Sequence, residues 1–185
     1  MRWNGVVMSA IGFAAAAAIA AGLAGFWPAE HIVQQQSALE PVMLILRGIP
    51  DDENPRGQLD DSAAMEYARR LGFRGEVLDV AGNAAPESPQ VKMALNRIRQ
   101  DENVAALYGF SAGGYSARQV WKALAPPERE RIRKVVVVGS PGVTDVDFNS
   151  KPEVVIQPDP PEGHFAGPKA LLGSVAPESV GRGQR

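Results

Sequence analysis

Cysteine is missing altogether from the 185 residues. That excludes a thiol nucleophile, a disulfide frame and any metal site with sulfur ligands. Histidine is scarce: only His31 and His164 are present. This weighs against a multi-histidine metal centre and means that any histidine base is one of these two. An excess of positive charge is lacking too. Nineteen lysines and arginines stand against 21 aspartates and glutamates, for a net charge of −2, with an isoelectric point near 5.7. The basic residues are scattered rather than massed, so no field gathers nucleic acid. Neither a cofactor, a metal nor a nucleic-acid partner is implied.

What the chain does have, at its start, is a run without charge. Residues 6–27 are apolar or small, with Arg2 ahead of them, and about 20 such residues span a bilayer as a helix. Residues 1–28 therefore read as a signal peptide or membrane anchor, an apolar helix ahead of the working domain. The small residues Gly22-Leu23-Ala24 suit cleavage, while Phe26-Trp27 suits a retained anchor at the membrane interface. Residues 29–41, with Gln34-Gln35-Gln36, read as a tether. The expected location is membrane-anchored and facing the periplasm or exterior, or secreted after cleavage. Residues 174–185 are polar and Gly-rich, a flexible tail.

Between them, residues 42–173 make one domain in which apolar runs alternate with helical patterns. Residues 42–46, 104–108 and 135–138 are short continuous apolar runs, the mark of strands buried on both faces. Residues 76–80 and 153–157 complete five strands. Helical spacing places Leu59, Ala63, Ala64, Tyr67, Ala68 and Leu71 on one face over residues 58–71. It does the same for Val91, Ala94, Leu95 and Ile98 after Ser88-Pro89, and for Ala117, Val120, Trp121 and Leu124 over residues 114–124, which Pro126-Pro127 end. A final helix begins at Gly167. This alternation implies βαβ units and an α/β fold with a doubly wound, mainly parallel sheet of about five strands. In such a sheet, ligands bind outside the carboxyl ends of the strands.

Gly109-Phe110-Ser111-Ala112-Gly113 lies at such an end. The string G-x-S-x-G occurs by chance, but here it directly follows a buried strand and directly precedes a helix, the context a nucleophile elbow requires. The competing readings are a helix-capping serine and a phosphate cradle; the latter would want a lysine where Tyr115 stands. A serine hydroxyl needs a base. His31 falls in the tether, whereas His164 follows the last strand, so His164 is the candidate. For the acid, Asp159 precedes His164 on the same Pro-stiffened loop and is preferred. Asp145 is the alternative, with Asp147 and Glu162 behind it. One oxyanion donor is expected at the Ala112 N–H, and the second at Ile49 or Gly48 in the loop after the first strand. Arg47 in that loop reads either as an anchor for an anionic substrate group or as a structural ion pair.

The elbow at 109–113, the strand-end loop at 47–50 and His164 beyond the last strand together resemble the α/β-hydrolase superfamily. The likeness is greatest to its small lidless members, the cutinase-like esterases, although cutinases carry disulfides and this chain has no cysteine. Gly139-Ser140-Pro141-Gly142 is similar to loops in bacterial members. The resemblance implies a serine hydrolase that cleaves an ester or thioester through an acyl-enzyme, acting on a small molecule or an acylated envelope component. A serine peptidase or acyltransferase would use the same parts, and a membrane-tethered binding or accessory protein could keep the shell without turnover.

Overall fold

The computed structural model describes residues 40–49, 61–83, 85–149 and 152–175. The expected signal or anchor, His31, nearly all of the tether and the tail beyond Val175 lie outside the described residues. Among those described, no helix is long and apolar enough to cross a membrane.

Five strands form a single sheet: β1 (Val42–Leu46), β2 (Arg74–Leu78), β3 (Val104–Phe110), β4 (Lys134–Val138) and β5 (Glu153–Gln157). Their order is β2-β1-β3-β4-β5, and every pairing is parallel. Five helices connect and flank them: α1 (Asp61–Arg70), α2 (Pro89–Gln100), α3 (Ala112–Ala123), α4 (Pro126–Arg131) and α5 (Gly167–Gly173). Single 3-10 turns stand at Asp145–Phe148 and His164–Ala166. The doubly wound α/β sheet implied by the alternating pattern is thus the one formed.

Hydrophobicity explains the strand order. β1, β3 and β4 are buried throughout, as continuous apolar runs must be when helices cover both faces. Alternate residues of each strand point to opposite sides and divide the core into two layers. Leu44, Leu46, Leu107 and Val137 meet Val91, Ile98, Val120, Trp121 and Phe148 on one side. Met43, Ile45, Tyr108, Val136 and Val138 meet Ala64, Tyr67 and Leu171 on the other.

The edge strands are less apolar, and there the sequence pattern misplaces a boundary. β2 runs from Arg74 to Leu78 rather than over 76–80. Gly72, at φ 74°, ends the preceding turn, and the Arg74 N–H donates to the Pro41 carbonyl at 2.9 Å, which sets the register. A half-buried edge accepts polar residues: Glu76 faces outward to Arg97, whose Nε lies 2.6 Å from its carboxylate. Pro126-Pro127 do more than end α3. They open α4, where proline suits the first helical turn because its missing N–H would find no intrahelical partner, and Glu128 accepts from the Ala125 N–H at 2.6 Å. The chain after α5 is held to α1 as far as Val175, whose carbonyl accepts from Arg70 at 2.9 Å.

Candidate active site

Ser111 is the one residue between the end of β3 and the start of α3. Its backbone sits at φ 52°, ψ −119°. Among the described residues the only other non-glycine with positive φ is Asn149, which has the ordinary left-handed values of a helix end. The Ser111 conformation belongs to glycine and costs on the order of 1–3 kcal/mol, so it persists only where the surroundings impose it. They do so from three sides. The Ser111 N–H donates to the Val138 carbonyl at 2.8 Å, and the Ser111 carbonyl accepts from the Gly114 N–H at 3.0 Å. The same carbonyl accepts from the Ser140 hydroxyl at 2.6 Å. The flanking glycines allow the turn to close: a Cβ on Gly109 would stand 2.4 Å from the Gly113 carbonyl oxygen, and one on Gly113 would stand 2.0 Å from that of Leu46.

His164 opens the 3-10 turn beyond β5. Its ring lies on that of Phe110, with centroids 4.8 Å apart and planes 28° from parallel, and Phe165 meets it edge-on at 5.4 Å. Nδ1 lies 2.7 Å from Asp159 Oδ1. A carboxylate only accepts, so the proton of a neutral imidazole belongs on Nδ1 and the lone pair on Nε2, the arrangement a general base needs. Both side chains are partly open, at 34% and 39% exposure. The pair lies over Gly139, at φ 60°. A Cβ there would come within 2.5 Å of Asp159 Oδ1 and 2.9 Å of His164 Cε1. Gly139 follows Val138, whose carbonyl holds the Ser111 N–H, and Phe110 precedes Ser111. The imidazole is therefore seated on the neighbours of the serine.

Asp145 is elsewhere. It is exposed, and its Oδ1 accepts from the Val146 N–H at 3.0 Å, in a turn whose Phe148 packs against Trp121. Asp147 accepts from the Thr144 N–H at 3.1 Å and faces Arg118 and Lys122. The carboxylate brought to His164 is that of Asp159.

Gly48 backs onto Ser111: a Cβ on it would lie 3.1 Å from the serine Cβ. Ile49 follows, 64% exposed. Ala112 is the first residue of α3, so its N–H has no acceptor within the helix. Arg47 is a structural ion pair. Its Nε lies 3.1 and 3.0 Å from the two oxygens of Asp61 and its guanidinium also meets Asp79. The Asp61 hydrogen bond, ahead of Asp79, raises the Arg47 pKa and keeps it charged.

Three residues without an expected role also hold this edge. Gln90, fully buried, donates through Nε2 to the carbonyls of Val80 at 2.8 Å and Arg47 at 3.1 Å. Ser116 donates to the Asn83 carbonyl at 3.0 Å, and Ser140 to that of Ser111. Of these, only Ser140 had a sequence signal, in its Gly-Ser-Pro-Gly loop.

A parallel five-stranded sheet with a strained serine between its central strand and the next helix defines a minimal α/β-hydrolase-like fold. Solved structures similar to the chain include a Trichoderma reesei cutinase in complex with a phosphonate inhibitor, at 19% identity and TM-score 0.39, covering 77% of this chain and 82% of the cutinase. A lipase-esterase related protein from Clostridium acetobutylicum is similar at 19% identity and TM-score 0.35, over 54% of this chain and 42% of the other. A thioesterase of the prodiginine biosynthetic pathway in Streptomyces coelicolor is similar at 18% and 0.38, over 62% and 49%. The chain spans less than half the length of these last two. No family model and no curated protein matches it.

Proposed function

We propose that the chain is a serine hydrolase cleaving an ester or thioester through an acyl-enzyme on Ser111. The observation that carries this is the backbone of Ser111: strain at a non-glycine residue, imposed from three sides, is the mark of a functional position. Ser111 Oγ attacks the carbonyl carbon as His164 Nε2 takes its proton, and Asp159 steadies the imidazolium. The oxyanion is received by the Ala112 N–H and by that of Gly48 or Ile49. Collapse expels the alcohol or thiol with the proton from His164, and water then releases the acid by the same steps in reverse order.

The uncharged run at residues 6–27 supports membrane attachment or export. The substrate is then met outside the cytoplasm, as a small ester or an acylated envelope component. The test is labelling of the full chain with a fluorophosphonate, alongside hydrolysis of p-nitrophenyl butyrate. Label on Ser111 is expected, and Ser111→Ala or His164→Ala should lower kcat by roughly four to six orders of magnitude. A folded protein that is neither labelled nor active would sink the proposal.

A further inference from the structure

The hydrogen bonds of the Ser140 hydroxyl go to backbone carbonyls. The hydroxyl is buried and spends its single proton on the carbonyl of Ser111 at 2.6 Å, the Val138 carbonyl being farther at 3.3 Å. A glycine makes room for it: a Cβ on Gly114 would lie 2.1 Å from Ser140 Oγ and 2.7 Å from its Cβ. The carbonyl of Ser111 and the N–H of Ala112 belong to one peptide group. That group is planar and trans, so the two bonds point in opposite directions. Whatever fixes the carbonyl therefore aims the N–H. The carbonyl is fixed by Ser140 and by the Gly114 N–H, which lies within α3, so the Ala112 N–H is turned the other way, out from the start of α3.

We infer that Ser140 is a positioning residue that locks the Ser111–Ala112 peptide so that the Ala112 N–H faces the developing oxyanion. This rests on the hydrolase assignment above and adds to it the device that sets one oxyanion donor before substrate arrives. The Gly114 N–H alone would leave the peptide free to rock about its own axis, because it grips the carbonyl from within the same turn. Ser140 grips it from the loop after β4, 29 residues away. A donor that is already aimed has no reorganisation left to do in the transition state, which is where such groups act. Ground-state binding does not use it.

The test compares the full-length wild type, Ser140→Ala and Ser174→Ala. The last removes another hydroxyl that holds a backbone carbonyl at 2.6 Å, that of Leu171 at the end of α5. Hydrolysis of p-nitrophenyl butyrate, inhibition by an alkyl boronic acid and thermal unfolding are measured for each. Direct loss of one oxyanion donor lowers kcat by about 10²–10³-fold, so an unlocked donor should lower it by about 10–100-fold. In Ser140→Ala, kcat falls by that factor with KM within about twofold, and the boronate inhibition constant rises in step with the loss of kcat. Ser174→Ala loses a little thermal stability and keeps kcat within about twofold. Should Ser140→Ala not fold, Ser140→Cys keeps a side chain there with a poorer donor and should give the same split. If Ser140→Ala keeps wild-type kcat and boronate affinity, or matches Ser174→Ala in every readout, the role of Ser140 is overturned while the hydrolase assignment stands. A wild type inert to ester and probe alike overturns both.

Discussion

At the amino end of the sheet, the strands are tied by backbone, and the carbonyls taken by side chains go to half-buried charged ones, as that of Ile98 does to Arg131 at 2.9 Å. Val42 donates to Asn103 at 2.8 Å, Arg74 to Pro41 at 2.9 Å, and Glu153 to Arg133 at 2.8 Å. At the carboxyl end the ladder also continues in places, as from the Gly139 N–H to the Gln157 carbonyl at 2.8 Å. There, however, the carbonyls of Arg47, Val80, Asn83 and Ser111 are taken by side chains buried beneath them. Among the described residues the one buried charged side chain, Lys134, sits at the other end and reaches out to an exposed Glu153. A hidden polar side chain is costly unless it is hydrogen-bonded. Each of these donates where the backbone leaves regular geometry, although Gln90 Oε1 is left without a partner. One end of the molecule is held by the ladder and by charged side chains at its rim, the other by buried uncharged donors, and the strained serine lies at the second.

Several substitutions would break or sharpen that contrast. The largest effect is expected between two carboxylates. Asp159→Asn should lower kcat on p-nitrophenyl butyrate by about 10⁴-fold, since an amide no longer fixes the imidazole tautomer. Asp145→Asn should stay within about twofold; equal losses would mean that the hydrogen bond at His164 Nδ1 does not decide the acid. Next comes the two-ended comparison. Gln90→Leu strands two carbonyls, at about 1–3 kcal/mol each, and should also slow turnover about tenfold by loosening the loop that carries Gly48. Lys134→Met, at the opposite end, should change stability by less than about 1 kcal/mol and leave kcat alone. Denaturant unfolding and steady-state kinetics on the same samples check both, and a matching loss of kcat in Lys134→Met would erase the distinction between the ends.

The smallest effect concerns neither end. On the outer face of α1, hydrogen bonds from Arg69 and then Arg70 hold the Glu66 carboxyl at about 2, below the ordinary 4.5. A carboxyl lowered by folding stabilises the fold above its unfolded value, and that contribution is lost as pH falls toward the folded one. Glu66→Gln should therefore lower the melting temperature slightly near neutral pH, with the gap to wild type closing between about pH 4.5 and 2. A gap that stays constant to pH 2 would show that the ion pairs contribute nothing.

The parts that were legible in the sequence are those decided locally. Strand β3, the serine and helix α3 follow one another without a gap, so the elbow can be read from seven or eight consecutive residues. Asp159 and His164 share one short loop, and their pairing follows from that proximity. The central strands announce themselves by continuous burial. Polar edge residues blurred the start of β2, and the short helix α4 was hidden behind prolines that look like terminators. The bonds of Gln90, Ser116 and Ser140 could not have been read, because their partners include backbone carbonyls 43, 33 and 29 residues away. No property of the side chain itself says which carbonyl it will meet.

The stacking of Phe110 on His164 bears on how this chemistry could be moved to another protein. Phe110 is one of the two variable letters of the five-residue string, yet its ring is the bench on which the imidazole lies. Grafting Gly-x-Ser-x-Gly onto a foreign strand and helix would carry the strain at the serine and leave the histidine without a seat. The smallest portable unit therefore includes the aromatic at 110, the open position at Gly139 that lets the ring descend, and the loop from Asp159 to His164. Within that unit Gly163, at φ 108°, has to stay glycine, because it is the bend that brings the ring back to its bench.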